Sequence, residues 1–130
     1  MPGEHQRANA KSARLDKELP YQVALPDDIC CMENFTIISA FCQRYSYRVE
    51  TKGVIAVWPE GKQIHMRLHC FAGRSDADAF AAHFEGEFFN PTVDYGGKRR
   101  HRGAWRRTGS WEFKEQWGRL RMPKFFRENP

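Results

Sequence analysis

The stretch VIAVWPEGKQIHMRLHCF, residues 54–71, decides the fold, because apolar and polar side chains alternate on both sides of a turn signal. Trp58-Pro59-Glu60-Gly61 puts proline second and glycine fourth, the pattern of a type I turn. Two strands joined as a hairpin follow. With Ile55 set opposite Ile64, the residues Ile55, Val57, Ile64, Met66, Leu68 and Cys70 share one face, since directly opposed residues lie on one side of a sheet. Gln63, His65, Arg67 and His69 then share the other. Upstream, Tyr45, Tyr47, Val49 and Thr51 alternate with Ser46, Arg48 and Glu50 before the turn signal Lys52-Gly53, which predicts one more strand. The three make an antiparallel meander over about residues 46–71.

Helical patterns flank the meander. After Pro26, Asp27 and Asp28 supply a cap and negative charge for a first turn, and Cys31, Phe35, Ile38, Cys42 and Tyr45 recur at helical spacing. Ser75 and Asp78 have the spacing of a capping box, followed by Ala79, Phe80, Phe84 and Phe88, so a helix is expected over about residues 76–86. Residues 1–20 are polar, with a short helix over Ala8 to Leu19, and are expected to form a flexible arm. The expected fold class is α+β: a three-stranded antiparallel sheet, two packed helices and a basic, Trp-rich C-terminal extension. Residues 21–95 form the domain, and residues 96–130 a basic aromatic segment able to pack back on it.

A chain of 130 residues with 41% hydrophobic and 14% aromatic residues can bury one core without staples. Its charge is divided unevenly. Residues 98–130 hold eleven Lys and Arg against three carboxylates, a formal +8, which leaves −3 of the overall +5 for the other 97 residues. The N-terminus lacks the apolar core of a secretory signal and no run is long enough to span a bilayer, so a cytoplasmic protein is expected. The four cysteines form no Cys-x-x-Cys pair and read as reduced, buried thiols.

The basic segment carries the functional expectation. Lys98, Arg99, Arg100, Arg102, Arg106 and Arg107 are fixed charges suited to phosphates, with Trp105 and Trp111 as stacking platforms if the chain turns at Thr108-Gly109-Ser110. That combination points to RNA or DNA held through its backbone, with steeply salt-dependent affinity. Arg48, His65, Arg67 and His69 offer a secondary basic face on the sheet. His65 and His69, four residues apart on a strand, are roughly 13 Å apart, too far to grip one metal. They could serve a metal-independent nuclease as an acid and base pair. Nucleotide-loop, nucleophile-elbow and metalloprotease motifs are missing from the sequence, so no cofactor, metal or catalytic set is assigned. A third reading makes Trp105, Trp111 and Trp117 core and the chain a protein-interaction or assembly module.

Overall fold

A computed structural model describes residues 4–45, 48–96 and 101–128. Three longer helices, α1 (Glu4–Glu18), α2 (Glu33–Tyr45) and α3 (Arg74–Phe84), surround a mixed sheet. Its strands are β1 (Tyr21–Pro26), β2 (Val49–Val57), β3 (Gln63–Phe71), β4 (Glu87–Phe89), the two-residue β5 (Tyr95–Gly96) and β6 (His101–Arg106). The order is β4-β1-β3-β2-β6-β5. The first four strands are antiparallel neighbours, and β6 joins β2 in parallel. The run β1-α2-β2-β3-α3-β4 is therefore the split βαβ, ferredoxin-like arrangement, extended at one edge by the C-terminal segment. A short hairpin, β7 (Gln116–Trp117) and β8 (Leu120–Arg121), and the helix α4 (Lys124–Glu128) complete the chain.

The sheet is thus not the expected three-stranded meander. Five residues of β1 are buried, so it shows none of the alternation that marks a half-exposed strand. β4 is only three residues long, and β6 is written in the basic segment, where its charges mask a strand. The sheet also curls. Phe89 on β4 meets Tyr95 and Trp105, from the opposite edge, at ring distances of 5.1 Å.

The turn corrects the register. The Gly61 N–H donates to Trp58 O (2.9 Å) and Gly61 has φ 93°, a type I turn closed by a left-handed bulge residue. The extra residue pairs Ile55 with His65 and Ala56 with Ile64. Val54, Ala56 and Trp58 therefore join Met66, Leu68 and Cys70 on the inner face, with Leu15 and Leu19 of the α1 segment. On the outer face Phe71 packs on Phe80 of α3, in one cluster with Phe84 of α3, Ile38 of α2, and Trp117 and Leu120 of the hairpin.

The helix boundaries shift as well. Asp27–Cys30 is a separate single turn of 3-10 helix, and Met32, with φ 56°, resets the phase before α2. Asn34 and Ile38 are consequently buried and Phe35 is 63% exposed; the side chain of Tyr45, with Ser46 and Tyr47, lies outside the described residues. α3 starts after Gly73 with no side-chain cap, so Ser75 does not close a capping box. No described helix is long and apolar enough to cross a membrane.

One glycine fixes the C-terminal segment to the domain. Gly118 has φ 57°, and a Cβ there would lie 2.1 Å from His83 O, while its N–H donates to Glu85 Oε2 at 2.6 Å. Gly118→Ala should cost at least about 2 kcal/mol, from left-handed strain plus the clash. Gly109→Ala, at φ 74° in open space, should cost about 1 kcal/mol. Urea midpoints measure both; equal effects would mean that the hairpin is not seated on α3.

Candidate functional site

Chemistry-bearing side chains gather in two places: beneath α1, and on both flanks of α2. Beneath α1, Asp16 accepts hydrogen bonds from Tyr95 Oη (2.6 Å) and Gln22 Nε2 (2.9 Å) and pairs with Lys52 and Arg102. Lys52 also donates to Ser12 Oγ at 2.9 Å. Burial lowers the pKa of Lys52, opposed by its bond to Asp16; burial and then Asp16 raise that of Tyr95. Burial alone would raise the Asp16 carboxyl, but donors from Lys52, Tyr95 and Gln22 outweigh it and leave the group below its ordinary value. A serine beside a lysine can be a nucleophile and its base only when the amine is neutral. Here Asp16 favours the ammonium, and Ser12 is 8% exposed, so the cluster is a fastening for α1.

Arg102 belongs to that fastening: besides pairing with Asp16, its guanidinium lies 5.3 Å from the Tyr95 ring centre. Trp105 is buried on the inner face, with the Arg107 guanidinium 3.9 Å from its ring. Arg107 also pairs with Glu87. Trp111 is half-buried and packs on Trp58 at 5.0 Å, and its backbone N–H donates to Glu60 Oε1. Trp105 and Trp111 are therefore in separate contacts rather than aligned across one hairpin. Arg106 is exposed, and Lys98, Arg99 and Arg100 lie outside the described residues.

The secondary set divides between the two sheet faces. Arg48 pairs with Glu18 (3.1 Å) and Glu50 (2.6 Å) beside α1. His65, Arg67 and His69 lie on the outer face with Thr51, as the alternation of β3 requires. His65 is exposed, whereas His69 is 4% exposed and lies 4.7 Å from the Phe80 ring. Burial pushes its pKa down to about 4, and its Nδ1 has no hydrogen-bond partner. Such a histidine is a neutral base shut away from a phosphodiester.

Between α2 and the outer sheet face is a cavity of about 490 Å³, lined by Phe35, Ile38, Cys42, Val49, Arg67 and His69 among others. Burial raises the Cys42 thiol to about 11 and the Cys30 thiol to about 12, so neither offers a thiolate at neutral pH. Cys70 lies on the inner face, opposite to His69. On the other flank, a groove of about 520 Å³ separates the start of α2 from the C-terminal segment. Met32 and Ile37 line it together with Arg119, Arg121, Lys124 and Arg127. Met32 is 72% and Ile37 41% exposed. Arg121 and Arg127 share Glu115, and Arg119 has no ion pair among the described residues.

This groove has only a faint signature in the sequence. The adjacent Ile37 and Ile38 were its signal, because one of two neighbouring apolar residues must turn away from a single buried helix stripe. Among the described residues no group of three His, Cys, Asp or Glu could hold a metal. Compared with protein-family models, curated proteins and solved structures, the chain matches none.

Two stability measurements test these assignments. Asp16→Ala strands two cations and should cost about 3–5 kcal/mol, whereas Lys52→Met, which leaves Arg102 and Tyr95 on Asp16, should cost clearly less. The reverse order in denaturant titrations would refute the fastening role. His69, depressed from 6.5 to about 4, stabilises the fold fully above about pH 6.5 and loses that contribution as pH falls towards 4. The loss is up to about 3 kcal/mol. His69→Gln should flatten the profile between those pH values.

Proposed function

We propose that this chain is a binding module that captures an acidic, amphipathic segment of a protein partner in the groove between α2 and the C-terminal segment. One observation carries the reading: apolar side chains left exposed on α2 and on the turn before it share a groove with four cations. Met32 and Ile37 supply the apolar floor on which such a segment would bury its own face, the helix-in-groove mode of recognition. Arg119, Arg121, Lys124 and Arg127 outnumber Glu33, the carboxylate that also lines the groove, and this excess of positive charge attracts carboxylates and sets orientation and association rate more than affinity. Met32 supports the reading further, because a left-handed conformation at an exposed, non-glycine residue is strain of the kind that gathers at functional sites.

Nucleic-acid binding through Lys98, Arg99, Arg100 and Arg106 is the second reading, favoured by the exposed Arg106 beside the basic run. It is the weaker of the two, because Arg102, Trp105 and Arg107 spend their side chains inside the protein.

A designed helical peptide with leucines on one face and glutamates beside them, and a single-stranded oligothymidine, separate the readings by fluorescence anisotropy. The peptide should bind. Met32→Glu with Ile37→Glu should abolish that binding, and Arg119→Glu with Lys124→Glu should weaken it about tenfold or more. No peptide binding, or binding indifferent to these changes, would overturn the proposal. Tight oligothymidine binding lost in Arg106→Glu but unaffected at α2 would install the second reading in its place.

A further inference from the structure

The cavity on the sheet side of α2 is separate from the partner groove and has a different character. We infer that it is a binding site for a small, flat, apolar monocarboxylate, with the carboxylate held by the Arg67 guanidinium. The volume of about 490 Å³ is that of natural small-molecule pockets, which are mostly apolar with a few polar groups that fix orientation. Phe35, Ile38 and Val49 provide the apolar walls, and Asp27, Ser39, Thr51, Arg67 and His69 are the polar groups.

Two of those polar groups are incompletely used. Arg67 donates only Nε to Asp27, at 3.1 Å, and its terminal nitrogens make no hydrogen bond among the described residues. A guanidinium in that condition presents the planar fork that grips a carboxylate with two parallel bonds. His69 lines the same cavity, 96% removed from solvent, and its Nδ1 is buried without a partner. Residues two apart on a strand face are roughly 6.6 Å apart. A flat acid whose carboxylate sits on Arg67 lays its ring system over His69 across that separation.

The charge at the mouth selects further. Asp27 nearly cancels Arg67, so a doubly charged anion such as phosphate meets a repelling carboxylate, while a monoanion can share the guanidinium. The Ser39 and Thr51 hydroxyls line the cavity and can serve a bound carboxylate or its water.

The test titrates the full chain with indole-3-acetate, indole-3-acetamide and inorganic phosphate, following backbone amide shifts and heats of binding. The acid should bind and shift the amides of Ser39, Thr51, Arg67 and His69, the neutral amide should bind at least tenfold more weakly, and phosphate should leave those amides in place. Arg67→Gln should weaken the acid about tenfold or more. Ser39→Leu fills the cavity from α2 while keeping Arg67, and should abolish binding; it decides the matter even if Arg67→Gln does not fold. Equal affinity for acid and amide, shifts confined to other residues, binding of phosphate at Arg67, or no binding by the unaltered chain would each overturn the inference.

Discussion

Asp16 is the point on which the inner half of the molecule depends. α1 has few apolar anchors of its own, with Leu15 and the following Leu19 as the fully buried ones, so packing alone gives it a weak hold on the sheet. The carboxylate adds bonds to β2 through Lys52, to β5 through Tyr95 and to β6 through Arg102. Those strands belong to the β2 side of the curled sheet, while Gln22, also bonded to Asp16, belongs to β1. One buried anion thereby ties the helix to several strands. Buried charges are costly to desolvate, and this one is tolerable because every bond it accepts comes from a positioned donor.

The outer half is assembled differently. α3 is well covered: Phe80 and Phe84 are fully buried, and Phe41 of α2 packs against both at 5.9 and 5.2 Å. α2 is not. It leans on the sheet through Ile38 and on the C-terminal segment through Asn34, whose Nδ2 donates to Arg121 O at 2.9 Å. A helix held at three narrow contacts, Ile38, Asn34 and Phe41, leaves space on both flanks, so one apolar floor lies beside a guanidinium and a buried imidazole, and the other beside four cations.

The local features were legible in the sequence, and the distant ones were not. The hairpin, its turn and α3 announce themselves by alternation, by Pro59 and Gly61, and by apolar spacing. β1 is hidden because burial on both faces removes the alternation by which strands are recognised, and β6 because its partner, β2, lies about fifty residues earlier in parallel. The basic segment shows the same divide. Its charge is visible, but whether Arg102 and Arg107 face water or carboxylates depends on Asp16 and Glu87, and no local pattern carries that. The aromatics were the more ambiguous half: Trp105 and Trp117 belong to the two cores, and Trp111 packs against both.

The three residues between Trp58 and Lys62 act as a parity device. With that loop length, even-numbered positions of β2 and β3 point inward and odd-numbered ones outward, which sends Lys52 to Asp16 and Arg67 with His69 to the cavity under α2. A loop one residue shorter would pair each position of β2 with a residue of opposite parity, and one strand would have to turn its whole set of side chains over. Nothing at the tip of the hairpin touches either site, yet its length settles which half of the molecule receives which chemistry. Selection on that turn is therefore selection on the contents of both faces at once.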